Sequence, residues 1–348
     1  MNSGLPDMKK SITSLTPFLF VGIFFFTLQA QYRTAGTVNY QHLLLDYNAR
    51  SVGMAGASVA VPGKSIGILA NPAADAALSG MEAFVGYQLV LDGVWAAPLG
   101  VARNYPGIGV FAVTLQGLSS GKVEVIEIGL DGEPLPTGNS AHDEYLSPGI
   151  SFARSFFESK LYAGITLKGL YHRISVYPDV YSSKAIAFDI GIQYLLLSDR
   201  LVAGAVISNL GFEFAPFPYS DSYPLPLIFE AGISYVPRYL STVRLALDIN
   251  KIRSEFIGFE PGIEVEVYPK VLFLRAGYRF SQSDLSEQFR KFSGDQDENY
   301  IKTNWSTFSA GLGIHFDIEQ TTVQIDIGLQ FRKSMLPPSP LLSAVIDF

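Results

Sequence analysis

Between Thr322 and Arg332 every second residue is apolar. Val323, Ile325, Ile327, Leu329 and Phe331 share one face of an extended chain, and Thr322, Gln324, Asp326, Gly328, Gln330 and Arg332 share the other. The same rule governs Leu161 to Arg173, Val243 to Asn250 and Ile263 to Val267. Alternation alone suits a soluble sandwich, which buries its apolar face, as well as a barrel, which turns that face to lipid. The connections separate the two. About fourteen strands can be read, over 82–91, 93–102, 107–117, 145–156, 160–174, 184–197, 200–208, 226–236, 241–251, 258–268, 271–281, 304–317, 321–332 and 340–348. Most approach the roughly 9–11 residues that a tilted membrane strand needs. Short turns at 103–106, 157–159, 198–199, 237–240, 269–270 and 318–320 alternate with longer connections at 118–144, 175–183, 209–225, 282–303 and 333–339. The tight first connection near Asp92 is the exception. Alternating loop lengths are the mark of an outer-membrane barrel, and a sandwich has no reason to keep them. The expected fold is therefore all-β: a transmembrane antiparallel β-barrel of about 14 strands with both termini on the periplasmic side.

Composition agrees. Charged residues are 16% of the chain, against about 25% in soluble domains. Mean hydropathy is +0.23, yet after the N-terminus no apolar run reaches the roughly 18 residues of a spanning helix. A closed barrel is the other structure that satisfies every backbone group in lipid. There is no cysteine, which excludes thiol catalysis, disulfides and thiolate metal sites. The net charge of −7 and the lack of a basic stripe argue against nucleic acid as a partner.

The chain opens with Met8-Lys9-Lys10, an apolar stretch from Phe18 to Leu28, and a small residue at Ala30. This pattern predicts a secretory signal peptide over 1–30, with Met8 as an alternative start. Residues 31–80 precede the first strand and form the expected hatch, or plug, of the barrel that runs from 81 to 348. Within it, Ala49-Arg50-Ser51-Val52-Gly53-Met54-Ala55-Gly56-Ala57 is rich in small residues, which permit close backbone approach. Asn71-Pro72-Ala73 favours a turn near the lumen. Gly53, Gly56, Asn71 and Pro72 are the candidate hatch residues, of a hatch that either moves or stays as a fixed plug. The chain ends on Phe348 after an alternating strand, and aromatics such as Tyr87, Tyr105, Phe156, Tyr268 and Tyr278 cluster near strand ends, as interfacial girdles do.

The Ala49–Ala57 stretch followed by Asn71-Pro72-Ala73 resembles the N-terminal signature of the PorV/PorQ family of outer-membrane barrels, relatives of the FadL hydrophobic-compound channels. Val206-Ile207-Ser208-Asn209-Leu210-Gly211, Leu274-Arg275-Ala276-Gly277-Tyr278-Arg279 and Ser309-Ala310-Gly311-Leu312-Gly313 are similar to that family's later strands. Phe188-Asp189-Ile190-Gly191-Ile192-Gln193-Tyr194 resembles PorQ more than PorV. The chain departs from the common pattern at Ile68-Leu69-Ala70, where an aromatic often stands before the asparagine. The resemblance implies an accessory or anchoring component of type IX protein secretion in the bacterial outer membrane. Its partners would be membrane lipid and secretion-system proteins or a surface attachment complex. The alternative it implies is FadL-like passive transport of hydrophobic small molecules.

No catalytic residue, metal ligand set or cofactor site is expected. His42, His142, His172 and His315 have no metal-ligand spacing. Gly-x-Ser-x-Gly is missing, so an enzyme is not the expectation. The acidic run Asp295-Gln296-Asp297-Glu298-Asn299 reads as a solvated outer loop or a calcium-binding one. Lys168, Arg244, Asp248, Glu264, Glu266, Arg275, Arg279 and Asp326 fall on the polar faces, where they either pair across strands or line a solute path. Phe212, Phe214, Phe217, Tyr219 and Tyr223, interspersed with proline, form the candidate partner-binding loop, or else simply cover the barrel mouth.

Overall fold

The computed structural model describes residues 38–63, 65–129, 132–197, 200–253, 255, 257–281, 307–332 and 338–348. The expected signal peptide, the start of the expected hatch at 31–37, and the whole 282–303 connection with its acidic run at 295–299 lie outside the described residues. The strands are β1 (Met81–Leu91), β2 (Val94–Tyr105), β3 (Gly109–Ile128), β4 (Pro134–Phe156), β5 (Leu161–Val176), β6 (Asp179–Leu196) and β7 (Leu201–Ala215). They continue as β8 (Ile228–Tyr235), β9 (Val243–Ile252), β10 (Ile257–Tyr268), β11 (Leu272–Ser281), β12 (Thr307–Ile318), β13 (Thr321–Arg332) and β14 (Ser339–Asp347). Each pairs with its sequence neighbours, and β14 returns to β1 to close a 14-strand barrel. At the seam Glu82 lies opposite Asp347 and Gln88 opposite Leu341. Closure removes both sheet edges, the condition for strands to exist in lipid. No helix among the described residues is long and apolar enough to cross a membrane.

The alternation resolves as expected. On β13, Gln324 and Asp326 are buried inward while Ile325 and Ile327 face out. The outer face carries an apolar belt with marked limits. On the periplasmic side Arg103 stands over the Tyr105 ring at 5.5 Å and Arg154 over Phe156 at 5.8 Å. On the other side Tyr87 stacks on Trp95 at 6.2 Å, and Arg173 pairs with Glu144 at 3.2 Å. From Glu144 to Arg154 on β4 is about ten residues, which at ~3.3 Å each and a tilt of ~40° span about 25 Å. That is the height of an outer-membrane apolar band.

Above the belt the sequence reading needs correction. The connection expected at 118–144 is largely a tall hairpin, because β3 runs to Ile128 and β4 starts at Pro134. The 175–183 connection shrinks to a turn at Tyr177-Pro178, and β7 continues to Ala215 rather than ending near Ser208. On β7 Leu210, Phe212 and Phe214 keep the two-residue period with Glu213 inward, and the aromatics and prolines of that stretch obscure it, while the other two share a different reason. Beyond the lipid both faces of a strand meet water, so the backbone ladder persists while the two-residue hydrophobic period that reveals it is lost.

Residues 38–80 lie inside the barrel. They comprise a short helix, α1 (Ala49–Gly53), and 3₁₀ turns at Gln41–Leu44, Ser65–Leu69 and Pro72–Ala77. Asn48 caps α1 by accepting from Arg50 N–H, and Asn71 caps the last turn by accepting from Ala73 N–H. The segment seats against inward-facing wall glycines. A Cβ at Gly311 would stand 2.9 Å from Gly53 Cα, one at Gly277 would stand 2.3 Å from Met54 C, and one at Gly164 would stand 2.4 Å from Pro72 O. Small residues on both sides thus let main chain approach main chain. Replacing Gly164 by Val is expected to push Pro72 off the wall and cost about 1–3 kcal/mol. Faster proteolysis of the inner segment and a lower urea midpoint would register it.

Candidate functional site

The lumen is filled, and its contacts fall into three levels. At the level of α1, Arg50 grips Glu264 with two bonds, Nε to Oε2 at 2.8 Å and Nη2 to Oε1 at 2.6 Å. Glu264 also accepts from Arg275 Nε at 2.7 Å, and Arg275 Nη1 continues to Asp326 at 2.6 Å. Gln324 donates to the same Asp326. A ladder of charge-assisted bonds thus ties the inner segment to β10, β11 and β13. On the adjoining strand β9, Asp248 Oδ2 accepts from the amides of Ser58 at 2.6 Å and Val59 at 2.8 Å. Asn71 Nδ2 donates to Val59 O at 2.9 Å and to Ile192 O at 3.2 Å, Gln193 donates to the same Val59 O at 2.8 Å, and Ser234 donates to Ala60 O at 2.8 Å.

Toward the cell exterior the segment continues as a polar and aromatic stopper. Tyr145 stacks on His172 with centroids 3.9 Å apart, and His42 lies against its ring at 4.6 Å. His172 contacts Asp143 at 2.6 Å and Asn39 at 3.2 Å. Tyr40 meets Ser183 at 2.6 Å, and Ser183 donates to Glu213 at 2.6 Å. His42 reaches Ser147 Oγ at 2.7 Å, but burial, helped by Lys168 and His172, pulls its pKa down to about 3. Among the described residues Nδ1 of His42 has no partner. Leu225, from the β7–β8 connection, is buried against Tyr40, Leu43 and Leu170. That connection therefore folds inward over the mouth.

Between these levels lies a cavity of about 110 Å³, bordered by Asp46, Lys168, Asp189, Glu230, Glu260 and Arg279 among others. Lys168 bridges to Asp189 at 2.8 Å and donates to Asn209 at 2.5 Å. The space is too small for a drug-sized ligand, for which pockets run about 300–1,000 Å³. Its lining is mixed, with Leu43, Leu45, Ile228 and Ile252 beside the charged groups.

At the periplasmic end the last turn buries Asp75, whose two carboxylate oxygens have no hydrogen-bond partner among the described residues. Burial, reinforced by the neighbouring Glu82 charge, holds its pKa well above the usual aspartate range. The sign follows. Once displaced into water, Asp75 gives up its proton above its ordinary pKa, while the docked carboxyl keeps it. The docked state then binds more protons, so docking weakens as pH rises through the interval between the two pKa values. Asp75→Asn is expected to remove that slope and to strengthen docking at neutral pH. Protease protection of the inner segment between pH 5 and 8 would measure both.

Gly53, Asn71 and Pro72 make direct wall contacts, and Gly56 sits at φ +103 with Glu260 and Arg279 against its Cβ position. Lys168, Arg244, Asp248, Glu264, Arg275, Arg279 and Asp326 face the lumen and engage partners, while Glu266 lies at the periplasmic rim accepting from Lys270 N–H. The aromatic candidates divide. Phe212 and Phe214 stand on the outer face of β7 and belong to a strand rather than a loop, because Glu213 between them is drawn inward by Ser183 and Asn39. Phe217 turns in to meet His172 edge-on at 4.8 Å, whereas Tyr219 and Tyr223 are exposed in the connection. Asp46, Asp189, Asn209, Glu230 and Glu260 were missed as lumen residues. An acidic residue within an otherwise apolar strand, as in Ile228-Phe229-Glu230-Ala231, was the available signal.

A closed 14-strand antiparallel barrel with an apolar outer belt is an outer-membrane protein, and the chain belongs in the bacterial outer membrane. Solved barrels of the FadL-like type resemble it over almost their whole length. A TodX deltaS2S3 mutant, a monoaromatic hydrocarbon channel, superposes with a TM-score of 0.58 at 14% identity, covering 87% of this chain and 99% of that one. The P. putida toluene transporter TodX gives 0.59 at 14% identity, covering 86% and 97%. The Ralstonia pickettii toluene transporter TbuX gives 0.56 at 10% identity, covering 86% and 97%. These neighbours are channels and transporters, not enzymes. No protein-family model and no curated protein matches the sequence.

Proposed function

We propose that the chain is a passive outer-membrane channel for small hydrophobic compounds, with its inner segment as the hatch. The supporting observation is the end-to-end likeness to barrels named as hydrocarbon channels and toluene transporters, together with a lumen closed by a separate, non-strand segment. Likeness of fold alone does not carry substrate, so the filled lumen shapes the mechanism. A cavity of about 110 Å³ enclosed in a filled lumen cannot pass a hydrocarbon as it stands. Passage requires the hatch to shift. Polar bonds hold it at Glu264, Asp248 and Ser147, its main chain meets wall glycines at Gly53 and Pro72, and Ile66 and Ile68 pack beside Phe84, so the shift breaks all three kinds of contact. Uptake of labelled toluene and of a labelled fatty acid by cells that express the protein, and whose own hydrophobic-compound channel is deleted, tests the reading. Uptake above empty-vector cells for either probe is expected, and equality for both would contradict it.

A second reading is the accessory barrel of type IX secretion that the PorV/PorQ resemblance implies. The observation that favours it is the outer aromatic surface formed by Phe212, Phe214, Tyr219 and Tyr223, a composition suited to protein contact. Co-purification of secretion-system proteins from native membranes, lost on replacing Tyr219 and Tyr223 by Ser, would establish that reading.

A further inference from the structure

Glu230, Asp248 and Glu260 come from three successive strands, and one carboxylate oxygen of each lies within 4.8 Å of the others. Asp248 is directly opposite both Glu260 on β10 and Gly232 on β8, with Glu230 two residues along that strand. Asp46 of the inner segment adds a fourth carboxylate within electrostatic reach of Glu230 and Glu260. Arg279 is the cation that answers them, through Glu260 at 2.7 Å, and Asn250 donates to the same Glu260 at 2.6 Å. Four carboxylates against one guanidinium leave an excess of buried negative charge, which needs a proton or a cation between the groups.

Asp248 shows where that positive charge belongs. The residue is wholly buried, and its Oδ2 is occupied by the Ser58 and Val59 amides. Among the described residues no N–H or hydroxyl donor reaches its Oδ1, which points at Gly232 and faces the Glu230 carboxyl, a partner only when a proton or a cation lies between the two. The cavity of about 110 Å³ opens onto Glu230, Glu260, Asp46, Asn250 and Arg279, so an ion has both room and space for retained water.

We propose that Glu230, Asp248 and Glu260 bind a calcium ion in the lumen. All donors are hard oxygens, as calcium and magnesium require. Oxygens up to 4.8 Å apart fit across a calcium shell, whose diameter is about 4.6–5.2 Å, and would have to draw together around magnesium at about 4.0–4.2 Å. Because Asp248 also holds the Ser58 and Val59 amides, the ion stiffens the wall where the inner segment is anchored. This inference stands apart from the transport reading, since it needs no solute.

The test uses full-length protein refolded from inclusion bodies into detergent, free of lipopolysaccharide, stripped with EGTA and titrated with calcium chloride. One calcium per chain from this site and a higher thermal midpoint are expected, both retained when the outer acidic run is neutralised in Asp295→Asn/Asp297→Asn/Glu298→Gln. Glu230→Gln/Glu260→Gln is expected to weaken binding at least about tenfold and to abolish the midpoint shift. Should that variant fail to fold, the wild-type and outer-run proteins decide the matter. The proposal is overturned if the wild type binds no calcium and only pH moves the midpoint. Binding that disappears with the outer run, or survives unchanged in Glu230→Gln/Glu260→Gln, overturns it equally.

Discussion

Arg275→Ala is expected to lower the stability of the folded barrel by about 3–5 kcal/mol. The Arg275 side chain is fully buried and joins two buried carboxylates, Glu264 at 2.7 Å and Asp326 at 2.6 Å. Removing it leaves Asp326 with the Gln324 amide alone and Glu264 dependent on Arg50, with Arg244 at 3.8 Å. A buried ion pair adds little net stability when whole, but an orphaned buried charge is costly. The same deletion loosens the hatch, because Arg50 then answers a Glu264 that is free to turn. Urea unfolding in detergent, followed by tryptophan fluorescence, measures the first effect. Arg50→Ala provides the contrast. It leaves Glu264 and Asp326 bridged by Arg275, so it should release the inner segment at a smaller cost to the barrel.

The second large effect is on transport. Ala57 Cβ lies 3.1 Å from the Cβ position of Gly262, and the chain has no cysteine of its own. Ala57→Cys/Gly262→Cys therefore places one disulfide between hatch and wall without competition. A disulfide prefers Cβ atoms about 3.5–4.5 Å apart, so the segment must ease back by a few tenths of an ångström. That movement also relieves Met54, whose Cβ and carbonyl stand 2.8 Å from the new Cβ. With the disulfide formed, uptake of hydrophobic probe should fall to the empty-vector level, and dithiothreitol should restore it. Equal uptake by the oxidised and reduced forms would mean that solute passes without movement of residues near Ala57.

Different parts of this architecture were legible to different degrees. Thr322 to Arg332 declares itself because lipid lies on one side and polar lumen on the other. The upper halves of β3 and β4 do not, since water wets both sides there and Lys122, Glu124 and Glu127 interrupt any period. The small-residue character of Gly53-Met54-Ala55-Gly56 pointed to close packing before any partner was visible. Which partner it meets depends on wall glycines such as Gly277 and Gly311, distant in the chain. The pairing of Arg50 with Glu264 spans 214 residues and follows no local spacing. The same is true of the carboxylates at 230, 248 and 260, which only the barrel register brings together. Phe212 and Phe214 were read as loop because proline and aromatics dominate that stretch, whereas the inward pull on Glu213 keeps the ladder going. The three solved channels and transporters share the 14-strand barrel fold at 10–14% identity, as the strand reading anticipated.

The inner segment fills the lumen of the 14-strand cylinder and is what closes it to ions. Ion conductance across planar bilayers tests this most directly, comparing the full chain with a variant in which residues 38–78 are deleted. The full chain should stay closed to ions, and the deletion should produce a steady water-filled pore. If the deleted form conducts no more than the full chain, something other than the inner segment seals the barrel.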